Sequence, residues 1–534
     1  MKRFGVMLDC SRNAVMNLKS VEKYADYLSS FGYNTLMLYT EDTYEVNNEP
    51  YFGARRGRFT KDELKEINAY CLRKNIELIP CIQTLAHLNA IFKWREYAYH
   101  NDTADILLAE DERVYALINN MFETIAECFT SEYVHIGMDE AFQLGLGQYL
   151  IKHGYKDRFE ILTTHLNKVV EIGKKYGKKC IMWSDMFFRL ASGGDYYDEK
   201  NLFKVTDKIK SSVDKDVELV YWDYYHKDKK IYDDMIRKHK LLSDNPVWFA
   251  GGAWSWIGFT PHNDFSLKTM LPAMRSCREN GIDDIIITLW GDNGGECSKF
   301  SLLPSLYRIK RAYDGVDDLE TVKTEFFKLT GENYDDMMKL DLPDVASKKK
   351  DYFSNPSKYV LYSDLFNCFL EPGFAENGEK VLKKNAKILK NTASEKFAYL
   401  FDAAYKLCDA VAYKYTLAKR IRESYKRKNG EEIKAEIKQI AILIKKIKSF
   451  YSAFKKQWFT ENKPHGFDVQ DLRIGGLIFR LESCKDRLFD YINGKIDGIP
   501  ELDEDLLPFY GAEDKTRGVG IYNNWNANVT VNVL

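Results

Sequence analysis

The sequence predicts an α/β fold: a (β/α)8 TIM barrel over residues 1–315, followed by a mainly α-helical C-terminal domain over 316–534. Three observations carry this. Strand-like and helix-like segments alternate eight times in the first three hundred residues, which suits a closed parallel barrel better than an open sheet. Glycines stand just past three of the helical stretches, at Gly32, Gly177 and Gly281, where a helix terminator belongs. Beyond the barrel the chain changes to long amphipathic stretches with few β-branched runs.

The strands expected in order are Phe4–Asp9, Thr35–Thr40, Glu77–Gln83, Tyr133–Asp139, Lys179–Trp183, Glu218–Trp222, Val247–Gly251 and Asp284–Trp290. Helices are expected at Ser20–Phe31, Lys61–Lys74, Arg113–Phe129, Arg158–Tyr176, Leu267–Asn280 and Leu302–Tyr313, the last ended by Gly315. In the C-terminal part, Leu382–Lys428, Glu431–Phe459 and Asp468–Ile492 read as three long helices of a bundle. Ile433, Ile437, Ile440, Ile444, Ile447 and Tyr451 form the apolar stripe of one of them, with lysines on its solvated face. The tail Val529–Leu534 reads as β-like.

Composition excludes several classes. A chain of 534 residues is too long for one compact core. Lys plus Arg is 78 against 79 for Asp plus Glu, so nothing points to nucleic acid or an anionic membrane. Ten cysteines show no CxxC spacing, which suggests a reduced, cytoplasmic protein. No run is long enough for a membrane span, and the apolar run before Asp9 is too short for a signal peptide. The nine histidines show no HExxH or similar spacing, so neither a metal nor another cofactor is expected.

Chemistry concentrates at the strand ends, where barrel enzymes gather their sites. Tyr133-Val134-His135-Ile136-Gly137-Met138-Asp139-Glu140 reads as a strand delivering two adjacent acids. Val134, Ile136 and Met138 would share one face, and His135, Gly137 and Asp139 the other. Acidic pairs are common here, Glu41-Asp42 and Asp233-Asp234 among them, so the pair alone is weak evidence. The other strand ends add Arg12, His87, Asp185, Asp223, Asp292 and a set of tryptophans: Trp183, Trp222, Trp254 and Trp290. A single tryptophan is usually core. Carboxylates together with several flat faces suit a neutral, hydroxyl-rich ligand with an apolar side, a carbohydrate.

These residues resemble a known family. His135-Ile136-Gly137-Met138-Asp139-Glu140 is similar to the H-x-G-x-D-E signature of glycoside hydrolase family 20, the β-N-acetylhexosaminidases, and the likeness is to the intracellular bacterial type. Leu8-Asp9-Cys10-Ser11-Arg12 resembles that family's first-strand motif, and Trp183, Trp222 and Trp290-Gly291-Asp292 stand where it places pocket tryptophans and a final acid. Met138 stands where many members have Gly, a departure expected to be packing. The chain starts at strand one, where members usually carry a small α/β domain first, which leaves a homodimer as an expectation.

The resemblance implies an exo-acting β-N-acetylhexosaminidase that removes terminal β-linked GlcNAc, with GalNAc left open. It implies a retaining reaction in which the substrate's own 2-acetamido oxygen attacks the anomeric carbon. Glu140 would be general acid and then base, and Asp139 would hold the acetamido N–H. Arg12 would bind ring hydroxyls and Asp292 the outer ones. Trp183, Trp222 and Trp290 would box the acetyl methyl and the ring, and Tyr224, in preference to Tyr225, would donate to the acetamido oxygen. His87, with Glu41 or Asp42, would tune Glu140, or would be a satisfied loop histidine. Two other readings stay open. One is a retaining glycosidase whose nucleophile is Asp185 or Asp223. The other is a sugar-binding barrel without catalysis.

Overall fold

The computed structural model describes residues 2–198, 203–348, 354–512, 518–520 and 524–533. The chain divides into two compact units. The first is Met1–Ala253 with Ser266–Trp290 and Leu306–Asp318; the second is Trp254–Phe265, Gly291–Ser305 and Leu319–Leu534.

The first unit is a closed barrel of eight parallel strands: β1 (Arg3–Asp9), β2 (Thr35–Tyr39), β3 (Glu77–Cys81), β4 (Tyr133–His135), β5 (Lys179–Trp183), β6 (Val217–Trp222), β7 (Trp248–Gly252) and β8 (Asp284–Leu289). Each strand pairs with its neighbour in sequence, and β8 closes on β1 from Arg3↔Asp284 to Leu8↔Leu289. Every residue of β2 and β8 is buried, as expected of parallel strands covered on both faces. The covering helices are cut by local chemistry. Lys61–Arg73 opens on a full capping box between Thr60 and Glu63. Leu18–Ser30 opens on Asn17, whose side chain accepts the Ser20 N–H, and the chain turns out of that helix at Gly32 with φ 82°.

Two strands are shorter than the sequence suggests by more than one residue, and both shortfalls lie at the mouth. β3 ends at Cys81 rather than Gln83. β4 ends at His135 rather than Asp139. Ile136 still donates to Ile181 O at 2.8 Å, but Gly137 and Met138 then take φ values of 72° and 69°. Alternation therefore stops at Ile136, and Met138 and Asp139 do not take opposite faces of a strand. The expected strand failed because alternation records which side chains are apolar, not whether the backbone stays extended.

In the second unit the bundle is built from Gly378–Asn391, Ala398–Lys414, Leu417–Lys426, Gly430–Glu461 and Phe467–Ile492. Ile433, Ile440, Ile444 and Ile447 are buried in it, while Ile437 and Tyr451 are half-buried. The expected single helix Leu382–Lys428 is three helices. Its first break is a local side-chain turn, in which Ser394 Oγ accepts the Phe397 N–H at 2.9 Å and competes with the helical ladder. The β-like tail is also corrected: Trp525–Val529 is a short helix, 530–533 form no strand, and Leu534 lies outside the described residues. All ten cysteines are buried thiols, none in a disulfide. Among the described residues no helix is long and apolar enough to cross a membrane.

Candidate active site

The carboxyl ends of β1 to β6 and β8 converge on Asp139 and Glu140. After His135 the chain leaves the sheet through three left-handed residues, Gly137, Met138 and Glu140, the last at φ 52°. Met138 is fully buried there, as a packing departure from the family's Gly should be. It holds a conformation that costs a non-glycine residue on the order of 1 kcal/mol or more. Strain of this kind persists only where neighbours over-determine it. Here the neighbour is Gln83, fully buried just past β3. Its Oε1 accepts the Met138 N–H at 3.2 Å, and its Nε2 donates to Asp139 Oδ1 at 2.8 Å and to the Tyr39 hydroxyl at 3.0 Å.

Gly137 makes this clamp possible. A Cβ at that position would sit 2.0 Å from Gln83 Oε1. The amide cannot swing away without giving up its three bonds, and the φ of 72° already disfavours a side chain. Gly137→Ala is therefore expected to displace Asp139 and Glu140 and to lower kcat by more than about tenfold, since small misplacement at a reacting centre costs that much or more. It should do so while the barrel still folds, as judged by circular dichroism. Wild-type kcat in a folded variant would show the clamp to be dispensable.

His87 arrives on the long segment between β3 and the helix Glu112–Cys128. Its Nε2 lies 3.2 Å from Asp139 Oδ2 and 3.8 Å from Glu140 Oε2, without a well-directed hydrogen bond, so the contact is an ion pair. Burial alone would lower the imidazole's affinity for protons, but the Asp139 charge outweighs it and raises His87 to about 9. Burial likewise pushes Asp139 up, and His87 with Gln83 reverses this, leaving it at about 2. Glu140 moves the other way. Burial and then the adjacent Asp139 charge raise it, against His87, Arg189 and Arg12. Two neighbouring acids are thus split: one held ionised, one biased towards its proton. Of the two acids expected beside His87, Asp42 needs correcting and Glu41 does not. Asp42 is taken up by Arg56, at 3.0 to 3.1 Å, and Glu41 acts on His87 only through its charge.

Arg12 sits between acids and aromatics. Its Nη1 is 3.1 Å from Asp9 Oδ2, its Nη2 is 3.2 Å from Glu41 Oε1, and its guanidinium lies over the rings of Tyr39 and Trp290 at 5.0 and 5.4 Å. Trp290 meets Tyr39 edge-on at 4.7 Å and Trp183 at 6.1 Å. Trp183 is buried, and its indole N–H has no partner among the described residues. Trp222 stacks on Tyr224 at 5.3 Å. Tyr224 is buried, its hydroxyl in bonding reach of Trp290 and Thr288 and within the field of Asp139, whereas Tyr225 is 40% exposed. Arg12, His87, Asp139, Glu140, Trp183, Trp222, Tyr224 and Trp290 are therefore brought together. Asp292 groups with the second unit, within electrostatic reach of Lys358, which is itself bound to Glu296 at 2.7 Å.

Sequence reasoning passed over two groups. Gln83 is one. The other is Arg189 on the helix Asp185–Ser192, whose partner Asp185 the sequence offered only as a rival nucleophile. Asp185 Oδ2 accepts the backbone N–H of Glu140 at 3.1 Å and the Arg189 Nε–H at 3.0 Å, and Arg189 Nη2 lies 3.9 Å from Glu140 Oε1. An Asp and an Arg four apart at the start of a helix were a visible signal for it. Among the described residues no group of three or more His, Cys, Asp or Glu is placed to hold a metal ion.

Comparison with known proteins identifies the family. Residues 3–232 match the family model for the glycosyl hydrolase family 20 catalytic domain, and residues 332–520 match the model for the glycoside hydrolase 20C C-terminal domain. The chain is similar to a beta-hexosaminidase of Vibrio furnissii, 25% identical over an alignment of 227 residues, gaps included, that covers 34% of this chain and 36% of that protein. It is also similar to hexosaminidase D of Bos taurus, 23% identical over 258 residues, 45% of this chain and 68% of that protein. Thus the chain spans little more than a third of the first of these relatives. A solved exo β-N-acetylglucosaminidase of Vibrio harveyi overlaps 62% of this chain and 58% of its own, with a TM-score of 0.47 and 18% identity. With two models of one family matched in order along it, this chain belongs to glycoside hydrolase family 20.

Proposed function

We propose that the protein is an exo-acting β-N-acetylhexosaminidase that removes terminal β-linked GlcNAc by a retaining, substrate-assisted reaction. The observation that carries this reading is the split pair: Asp139 held ionised by His87 and Gln83, beside Glu140 biased towards its protonated form. In the first step Glu140 gives its proton to the leaving oxygen while the 2-acetamido oxygen attacks the anomeric carbon. Asp139 accepts a hydrogen bond from the acetamido N–H and offsets the positive charge that grows on it. In the second step Glu140, now a carboxylate, takes a proton from the water that opens the cyclic intermediate. Arg12 recognises ring hydroxyls, Tyr224 donates to the acetamido oxygen, and Trp183, Trp222 and Trp290 enclose the apolar faces. Asp292 is assigned to the outer hydroxyls from the family likeness alone.

The surroundings of the two rival carboxylates favour this over a protein nucleophile. Asp223 is fully buried and saturated. It accepts from the Tyr221 hydroxyl, from His226 Nδ1, and from the backbone N–H groups of Tyr225 and His226, all within 3.3 Å. Asp185 is also fully buried, and it grips the backbone of Glu140. The direct test is a panel of aryl β-glycosides on the purified protein, in which the N-acetylglucosaminide should be the preferred substrate by orders of magnitude. On a long chitooligosaccharide, single GlcNAc units should leave from the non-reducing end. Products dominated by internal cuts would rule out the exo assignment.

A further inference from the structure

The segment that follows the acid exposes apolar surface that the reaction at Glu140 and Asp139 does not use. Phe142 is 51% exposed, two residues beyond Glu140. A tight turn folds it back: its N–H donates to the Glu140 carbonyl at 2.7 Å, across Ala141, which is fully buried. Its own carbonyl accepts from Arg158 Nη1 at 2.8 Å, so the turn is fixed on both sides. Arg189 touches both members of the turn. Its guanidinium lies 5.0 Å from the centre of the Phe142 ring and 3.9 Å from Glu140 Oε1. It is itself anchored by Asp185 and by the Gly194 carbonyl at 3.2 Å. A fixed cation therefore backs an aromatic ring whose remaining surface is open, beside the proton donor.

Reaction geometry supplies the occupant. A general acid must lie within hydrogen-bond reach of the oxygen it protonates, so the leaving group necessarily sits against whatever flanks Glu140. A pyranose ring has a flat C–H face that loses its water on an aromatic ring. A methyl or other small alkyl leaving group would not reach the ring. We infer that Phe142, carried on the turn after Glu140 and backed by Arg189, is the platform on which the first sugar of the leaving group stacks. The natural substrates are then glycans whose terminal N-acetylhexosamine is joined to another pyranose. This deepens the hexosaminidase reading and rests on it.

The test compares kcat/KM of the full chain on a β-linked GlcNAc disaccharide and on methyl β-N-acetylglucosaminide. Phe142→Ala should lose about tenfold on the disaccharide, about 1.4 kcal/mol, and less than about twofold on the methyl glycoside. Phe142→Trp, which keeps a flat face, should stay close to wild type on both. Phe142→Leu, which keeps the bulk and loses the face, should reproduce the selective loss if the alanine variant does not fold. Ile151→Ser is the control. Ile151 is 76% exposed in the same apolar stretch, and neither rate should change. Equal losses on both substrates would make Phe142 a mere support of the turn and overturn the subsite. So would an undiminished disaccharide rate, or a matching loss in Ile151→Ser. A wild-type protein inert on both substrates would overturn the hexosaminidase reading itself. An active wild type without the selective loss overturns the subsite alone.

Discussion

Glu140→Gln is expected to lower kcat on a natural disaccharide by about 10²–10⁴-fold, the usual contribution of a positioned general acid. The substitution is a clean probe here because the backbone, not the side chain, holds the residue in place. Its φ of 52° is secured by the N–H bond to Asp185 and by the clamp of Gln83 on Met138, and glutamine disturbs neither. Binding should survive, so KM should change little. Two further readouts separate loss of the proton from general damage. First, wild-type kcat/KM should fall as pH rises through the raised ionisation of Glu140, because the acid must carry its proton at the first step. The variant should lack that limb. Second, an aryl glycoside with a good leaving group needs no proton, and added azide needs no general base. Together they should restore turnover in the variant and give a glycosyl azide. A disaccharide rate close to wild type would show that Glu140 is not the acid.

Legibility of this site in the sequence followed charge and polarity. Asp139, Glu140 and Arg12 carry charge at strand ends, and the tryptophans of β5, β6 and the end of β8 are large enough to stand out there. What holds them in place was far less visible. Gln83 is uncharged and follows an apolar strand, so nothing in its neighbourhood distinguishes a clamp from a surface amide, although it makes three hydrogen bonds around Asp139. The left-handed turn at Gly137 and Met138 was hidden by an alternation that is correct for polarity and wrong for backbone direction. For a related reason Asp139, which lies 3.2 Å from His87, was not among its expected partners. Sequence order places Glu41 and Asp42 together, but Arg56 engages Asp42 and leaves His87 to Asp139. In the second unit the hydrophobic stripe located Gly430–Glu461 well. The same periodicity ran through the break before Ala398, because a serine turn leaves no gap in the apolar pattern.

The second large effect concerns the substrate. If the 2-acetamido group is the nucleophile, the aryl β-glucoside that lacks it should be turned over at least about 10³-fold more slowly than the N-acetylglucosaminide. An intramolecular attack of this kind reaches effective molarities of roughly 10⁵–10⁸ M, and its loss has no substitute in the pocket. Asp139 is set up to serve that attack. His87 and Gln83 keep it anionic, and its help grows as the amide becomes cationic, so it acts on the transition state more than on the bound substrate. Asp139→Asn keeps the shape and a bond to Gln83 but removes the charge. It should lower kcat by about 10²–10³-fold with a much smaller change in KM, as for other fixed charges aimed at a developing one. A thiazoline mimic of the cyclic intermediate should inhibit the wild type strongly and Asp139→Asn far less. Proton NMR of the first product should show the β-anomer, since two displacements at one carbon restore its configuration. Comparable kcat/KM for the plain glucoside and the N-acetyl sugar would refute assistance by the substrate. A protein carboxylate would then have to be the nucleophile. Asp185 would be the first to test, because Asp223 already has every lone pair engaged while one oxygen of Asp185 has no hydrogen-bond partner among the described residues.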